Sequence, residues 1–584
     1  SDLTLYPYYE ILIVDNASQT DEARQWLQAI EEMSENRIRV LGLTHAVDRS
    51  TANNIGAQYA EGEYLLFLRT FTAVLQGQWL GELLNHAQRQ EVGIVGAKTV
   101  SSDSQITDAG LILGLQGAAA PAFAGEKIDS AGYMHRLLVD QSCGAVSDAC
   151  LMVRKTLFDG VGGFDTEQFP ELGADVDLCL RLGEHGYLTV WTPRSLLMHS
   201  VQAEPLGEKV EDALYERWLP VLARDPAYNL NFSLMQSSAF QFADPQLCWR
   251  PLVWRPSPTV LVHPADRYGC GQYRVIQPFN AQKKAGLIDG VMSGVLLPVT
   301  EIERLAPDAI VLQRQIGEEQ LNTLRRMQKF SGAFKVFELD DYLPNLPLKS
   351  IYREQQPKDI VRSLRRALSY VDRFVVSTEP LAEALKDFHP DIKVMKNRLD
   401  PDWWSELPVS QRRTSAKPRV GWAGGIGHKG DLEMISDVVK ALAHEVDWVF
   451  FGMCPDKLRP YVKEFHSGVE ISLYPAALAR LNLDLAVAPV EQNLFNECKS
   501  NLRLLEYGAC GFPVVCSSLV CYQGDLPVTR VKNRFKDWIE AIRMHLADLD
   551  ATARAGDALR EVVRRDWMLN DDALASWRKV WLPD

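Results

Sequence analysis

The chain has 584 residues, of which 46% are hydrophobic and 24% charged, the balance of an ordinary soluble globular protein. Lys+Arg is 62 against Asp+Glu 76, and the formal net charge of −14 argues against a broad nucleic-acid surface. A local anion site is still open to it, because a few backbone N–H groups and one lysine hold a diphosphate.

Residues 1–200 alternate short apolar runs with helical stretches. Tyr9 to Asp15, Leu65 to Leu68 and Val92 to Gly96 read as strands, and the alternation implies a sheet covered by helices. Residues 201–257 hold Trp218, Trp249 and Trp254 and five prolines between Pro205 and Pro251, with no clear period. They read as a helical and irregular connector. The alternation restarts at Thr259–His263 and continues through Ala309 to Gln313, Lys335 to Leu339 and Phe374 to Ser377. After the basic segment Gln411 to Pro418 a second series follows: Arg419 to Ala423, Trp448 to Phe451, Leu485 to Ala488 and Pro513 to Ser517. Two successive βα series imply two Rossmann-like lobes, 258–410 and 411–584, with the ligand at the carboxyl ends of the strands.

No apolar run approaches the ~20 residues of a spanning helix, and Ser1 to Pro7 lacks the basic and apolar regions of a signal peptide. The expected location is the cytoplasm or the inner face of the membrane, with membrane contact at most peripheral. None of the ten cysteines forms a CxxC pair, so they read as buried free thiols.

The sharpest motif is Gly421 to Asp431, a strand followed by glycines and a helix whose Leu432, Ile435, Val438, Val439 and Leu442 share one face. Gly424, Gly425 and Gly427 let backbone N–H groups approach an anion, with His428 and Lys429 as further donors and Asp431 as helix cap. Downstream, Lys499 to Cys510 reads as a helix after the loop Val490 to Cys498, with Gly511 as its stop. Lys499 and Glu506 are then two turns apart on one face, a cation for a diphosphate and a carboxylate for ribose hydroxyls. Asp340 and Asp341, at the end of a strand, suit acceptor orientation or base chemistry. Ser377-Thr378-Glu379 reads as a helix cap, His263 as a packed histidine, and Trp403-Trp404 as hinge packing.

The run from Phe495 to Val515 resembles the donor-site signature of GT-B glycosyltransferases of the family 4 type. The resemblance covers about 259–584. It implies Glu506 as the ribose ligand, and Lys499, Ser500, Asn501 and the Gly424–Gly427 loop as diphosphate ligands. Where that signature has a glutamate near the helix start, this chain has Cys498-Lys499. In the first lobe, Gly269, Gly271, Tyr273 and Arg274 resemble the acceptor-side glycine loop.

Residues 9–200 resemble the GT-A fold of glycosyltransferase family 2, through Val14 to Ser18, Asn53 to Ala57, Gly62 to Leu68, Gly162 to Asp165, Asp175 to Arg181 and His199. The resemblance implies Asp15 at the donor base, Asp175 at the catalytic base and His199 near a metal-diphosphate site. The acidic metal motif of that family is replaced by Arg69-Thr70-Phe71-Thr72, and its first strand and helix would precede Tyr9. The expectation is an impaired family 2-like domain in a chain that is a fragment or lacks an edge.

The fold class is thus α/β: a GT-A-like mixed sheet, then a GT-B pair. The leading function is transfer of a sugar from a UDP-, dTDP- or GDP-linked donor to a hydroxyl of a bacterial surface glycan, glycolipid or protein such as flagellin. The GT-B half carries it without metal, and Mg²⁺ or Mn²⁺ enters only if the GT-A half is active. The alternatives are a bifunctional enzyme and a non-catalytic sugar-binding scaffold.

Overall fold

The structure is a computed structural model and describes residues 3–33, 37–199, 205–236, 238–248, 254–345 and 359–584. Trp249 and Pro251 of the expected connector lie outside these. The chain separates into two compact units, Ser1–Pro251 with Leu297–Leu305, and Leu252–Leu296 with Ala306–Asp584.

In the first unit, β1 (Ile11–Asp15) and β2 (Ile38–Gly42) pair in parallel and form a separate two-stranded sheet rather than joining the main one. The main sheet has the path β3 (Tyr64–Leu68), β6 (Cys150–Arg154), β5 (Val92–Val100), β7 (Leu188–His199) and β4 (Thr72–Val74). β6 runs antiparallel to β3 and β5, whereas β7 runs parallel to β5. β5 is buried along its whole length, which explains its unbroken apolar and small-residue run. Helix α1 (Asp21–Met33) and helix α2 (Arg49–Tyr59) accompany the small sheet, and Asp48 caps α2 by accepting the Thr51 N–H at 2.8 Å.

Helix α3 (Trp79–Ala87) packs Trp79, Leu80 and Leu83 onto the main sheet, and helix α4 (Ala174–Glu184) buries Val176, Leu178 and Leu182. The stretch after residue 200 is not bare linker. Helix α5 (Glu208–Ala223) buries Leu214, Tyr215, Trp218 and Leu222 within this unit. The Trp218 indole donates to Asp177 at 2.9 Å, and helix α6 (Val299–Leu305) belongs to the same unit.

The second unit holds two six-stranded parallel sheets. The first has the order β9-β8-β10-β11-β12-β13, from β8 (Thr259–His263), β9 (Asp289–Met292), β10 (Ala309–Gln313), β11 (Phe334–Leu339), β12 (Arg373–Val376) and β13 (Ile392–Val394). The second has the order β16-β15-β14-β17-β18-β19, from β14 (Arg419–Ala423), β15 (Asp447–Gly452), β16 (Glu464–Ser467), β17 (Leu485–Ala488), β18 (Val514–Ser517) and β19 (Thr529–Val531). In the second sheet the strand order reverses between β14 and β17, the switch point at which open α/β sheets take ligands. The fold is therefore a GT-A-like mixed sheet followed by two Rossmann-like lobes. Helix α9 (Leu549–Asp566) packs in the second lobe, and helix α10 (Asp571–Trp581) returns to the first, where Trp577 and Trp581 join Val260, Val262 and Val311.

Candidate functional site

In the second unit, β14 ends at Ala423 and the glycine loop follows. The Ala423 N–H donates to the Tyr507 hydroxyl at 2.8 Å, pinning the loop to helix α8 (Leu502–Ala509). A Cβ on Gly424 would meet the Trp422 ring at 2.6 Å and Arg503 Nη2 at 2.8 Å, so this position admits only glycine. Gly425, Ile426, Gly427 and Lys429 are exposed around a short turn, and helix α7 (Lys429–Met434) begins there.

Asp431 is not the cap of α7, as its sequence position suggested. It is buried and accepts from His428 Nδ1 at 2.8 Å and from the Glu491 N–H at 2.8 Å. The neutral His428 ring then carries its proton on Nδ1 and presents Nε2 as an acceptor. Burial, reinforced by the charges of Arg503 and Lys499, pushes the His428 pKa down to about 3.

The segment expected as one helix from Lys499 to Cys510 is broken. A turn of helix spans Leu494–Glu497, capped by Asn493, and α8 starts only at Leu502. Lys499 therefore precedes α8 instead of sharing a helical face with Glu506. Asn501 sits at the helix start with no side-chain capping bond, and Ser500 Oγ accepts from Asn397 Nδ2 at 2.9 Å.

Lys499 Nζ lies over the Phe495 ring at 4.9 Å, and burial lowers its pKa. The Arg503 guanidinium lies over Trp422 at 5.3 Å, and its Nη1 is buried with no hydrogen-bond partner. Neither cation has an ion-pair partner among the described residues, although Asp431 lies within electrostatic reach of both. Arg503 is the residue that sequence reasoning missed. Its one signal was a cation four positions after Lys499, at the second residue of α8.

Glu506 is buried and doubly engaged: it accepts from Tyr273 Oη at 2.8 Å and Tyr474 Oη at 3.1 Å. Burial raises its pKa. Tyr273 comes from the first lobe, so the expected ribose carboxylate is tied across the two lobes.

The other residues of the first-lobe loop divide. A Cβ on Gly271 would lie 1.8 Å from the Asp266 carbonyl oxygen, whereas Gly269 faces open space. Arg274 does not face a cleft. It is fully buried and grips Glu338 at 2.6 and 3.1 Å, Asn397 at 2.9 Å and the Met395 carbonyl, under the Trp577 ring. Its guanidinium makes four hydrogen bonds within the core, which places it away from an open acceptor-side loop. Asp340 and Asp341 share Arg314, at 2.7 and 2.8 Å. Burial opposes the charge on Asp340, yet Arg314 holds its pKa low, while burial and Asp340 push Asp341 up. Asp340 is thus the stronger acid of the pair. Asp341 is within electrostatic reach of Lys499. Thr378 caps its helix by accepting the Leu381 N–H at 3.2 Å and also donates to the Cys498 carbonyl at 2.7 Å. His263 is buried with its pKa pushed down to about 4 by burial. Trp404 is buried in the core of the second lobe, and Trp403 packs on it.

In the first unit a different cluster forms at the ends of β3, β4 and β7. Arg69 Nε lies 2.6 Å from Asp148 Oδ1, and Arg49 Nη1 3.5 Å from Asp148 Oδ2. The Asp148 N–H donates to Asp175 Oδ2 at 3.1 Å. Asp175 opens α4, and burial with the nearby Asp148 charge pushes its pKa up to about 6. His199 Nδ1 is 3.1 Å from Thr72 Oγ1, and burial lowers its pKa. Asp15 stands apart, ending β1 and accepting the Ser18 N–H at 3.1 Å. Asp177 is fully buried against Arg181 at 2.7 Å and is an architectural acid, not a surface one.

Residues 3–161 match the family model described as glycosyl transferase family 2. This region is a glycosyl transferase family 2 domain. Among curated proteins, an uncharacterized protein of Sinorhizobium fredii is 34% identical over 255 residues, 42% of this chain and 28% of that protein. The O-antigen biosynthesis protein RfbC of Myxococcus xanthus is 33% identical over 241 residues, 40% of this chain and 18% of that protein. The chain thus spans less than a third of the length of either relative. Among solved structures, sucrose-phosphate synthase from Thermosynechococcus elongatus is 14% identical over 55% of this chain and 98% of its own, with a TM-score of 0.42.

Diphosphate donors in enzymes of the GT-A type are commonly neutralised by a divalent ion, and the family 2 domain does not fit one. Among its described residues no three carboxylate, thiol or imidazole ligands converge. Both oxygens of Asp148 face guanidinium groups, so an ion would have to displace an arginine. In the second unit Cys270, Asp340 and Asp341 do bring ligand atoms within 4.8 Å of one another, but Arg314 already bridges the two acids. No helix among the described residues is long and apolar enough to cross a membrane.

Proposed function

We propose that the chain is a glycosyltransferase that moves a sugar from a nucleotide diphosphate donor to a hydroxyl of a bacterial surface glycan, glycolipid or protein acceptor, with catalysis in the second unit. The observation that carries this reading is the pair of unpartnered cations, Lys499 and Arg503, beside the exposed turn of Gly425 and Gly427. Half-buried cations with no direct ion pair favour a bound anion, and a diphosphate supplies one. The two cations, Lys429 and the loop N–H groups stabilise the leaving diphosphate without an ion. Ser500 and Asn501 border the same anion, and Glu506 takes the ribose after releasing a tyrosine hydroxyl. His428, neutral and with Nε2 free to accept, orients a sugar hydroxyl. Asp341, the carboxyl with the raised pKa, and its partner Asp340 face the reaction from the first lobe. The O-antigen relative supports a surface glycan as acceptor.

The family match, which falls wholly on residues 3–161, favours a second reading in which both units transfer sugar. Turnover by Lys499→Ala separates the two: activity that survives loss of that cation belongs to the first unit. A thermal-shift screen of UDP, dTDP and GDP with and without Mn²⁺ reads base preference and metal dependence together. Full turnover in both Lys499→Ala and Arg503→Ala would refute the placement.

A further inference from the structure

The cluster around Arg69 carries no surplus positive charge, since Arg49 also lies 3.8 Å from Glu171 Oε2. Two guanidinium groups, Arg69 and Arg49, meet the Asp148 carboxylate on both of its oxygens, and the Asp148 N–H ties in Asp175. The side chains are only partly covered, with relative exposures of 25% for Arg69, 32% for Arg49 and 12% for Asp148. Planar donors and acceptors without surplus positive charge suit neutral hydroxyl groups better than a diphosphate, which needs that surplus, and better than a divalent ion, which would have to displace the arginines from Asp148.

A separate observation points the same way. Phe71 is 77% exposed, although it stands two residues from Arg69. Its φ of 63° lies in the left-handed region that a bulky side chain rarely enters. The turn is held from both sides: Thr72 Oγ1 donates to the Arg69 carbonyl at 2.7 Å and meets His199 Nδ1 at 3.1 Å. Strain of this kind persists where the surroundings fix it and marks functional turns. An exposed aromatic ring on the same short turn as Arg69 offers the apolar face of a pyranose ring its counterpart.

We propose that the first unit binds the sugar residues of a glycan without a divalent ion, with Phe71 as the stacking surface and Arg69, Arg49, Asp148 and Asp175 as hydroxyl partners. The site is distinct from the one read as catalytic in the second unit, and its test is separable.

The protein is screened on an array of defined bacterial oligosaccharides, once in EDTA and once in Mn²⁺. Wild type, Phe71→Ala, Arg69→Ala and Lys499→Ala are compared, with thermal melts as a control. The expected result is binding in EDTA that Mn²⁺ does not change, kept in Lys499→Ala and weakened at least 10-fold in Phe71→Ala. That variant melts as wild type does, because the ring it removes is exposed. Arg69→Ala loses binding too. The inference is overturned if no oligosaccharide binds, if binding ignores Phe71, if it needs Mn²⁺, or if it disappears in Lys499→Ala. Mn²⁺ titration followed by electron paramagnetic resonance closes the metal question: wild-type binding that Asp148→Asn abolishes also overturns it.

Discussion

The two units treat positive charge in opposite ways. In the first, Arg69 and Arg49 are both spent on Asp148. In the second, Lys499 and Arg503 are half-buried with aromatic faces beneath them and no ion-pair partner among the described residues. A neutralised arginine is cheap to keep and offers directional hydrogen bonds. A half-buried cation with no direct ion pair favours a bound anion. The contrast separates a site for hydroxyl groups from a site for phosphate, although both are rich in basic residues.

The contrast breaks most sharply at the bare cations. Lys499→Ala and Arg503→Ala should each cut kcat/KM for the donor by about 100-fold or more, as loss of a preorganised charge does, while thermal melts hold or rise. Loss of activity with a collapsed melt would mean that the cations are structural. Arg274→Ala tests the opposite regime, a cation fully paired in a core. It should cost about 3–5 kcal/mol in denaturant unfolding, because Glu338, Asn397 and the Met395 carbonyl lose their buried partner. An acid titration of stability comes next. His263 is neutral in the folded chain with a pKa of about 4, so the unfolded state binds a proton first as pH falls below about 6.5. Stability is then complete above that value and lost on acidification, by about 2 kcal/mol at pH 5 for this one group. His263→Gln should flatten that slope. The smallest effect belongs to Asp148→Asn. It should cost about 1 kcal/mol, in the range of partly exposed ion pairs, yet give the first unit measurable phosphate affinity by freeing its arginines. An unchanged phosphate isotherm would show that pairing is not what silences this site.

Much of the architecture was visible in residue order. The central strands, from Thr259–His263 to Val514–Ser517, fall where uninterrupted apolar runs predict them, because both faces are covered. The strands Asp289–Met292, Ile392–Val394, Glu464–Ser467 and Thr529–Val531 escaped notice. All four are edge strands of three or four residues that carry polar residues such as Asp289, Lys393, Glu464 and His466. Arg274 read as a loop cation because its partner Glu338 stands 64 positions away, beyond any local pattern. The break before Leu502 was equally hidden. Asn493 starts a separate turn of helix, and a capping preference does not reveal whether two helical segments fuse. Phosphate-facing glycines were legible as a motif. The tyrosines on Glu506 were not, since they come from two distant segments.

Helix α10 has a consequence for synthesis. The first Rossmann-like lobe begins near residue 259, but its apolar wall is completed by Leu574, Trp577 and Trp581. A ribosome must therefore deliver some three hundred further residues before that sheet is covered, while the family 2 domain ahead of it can already be finished. The interval leaves a bare β-surface on the nascent chain, the state in which chaperones are most needed, and ribosome profiling with chaperone pull-down should show occupancy falling only after the codons for Leu574 to Trp581 have been read.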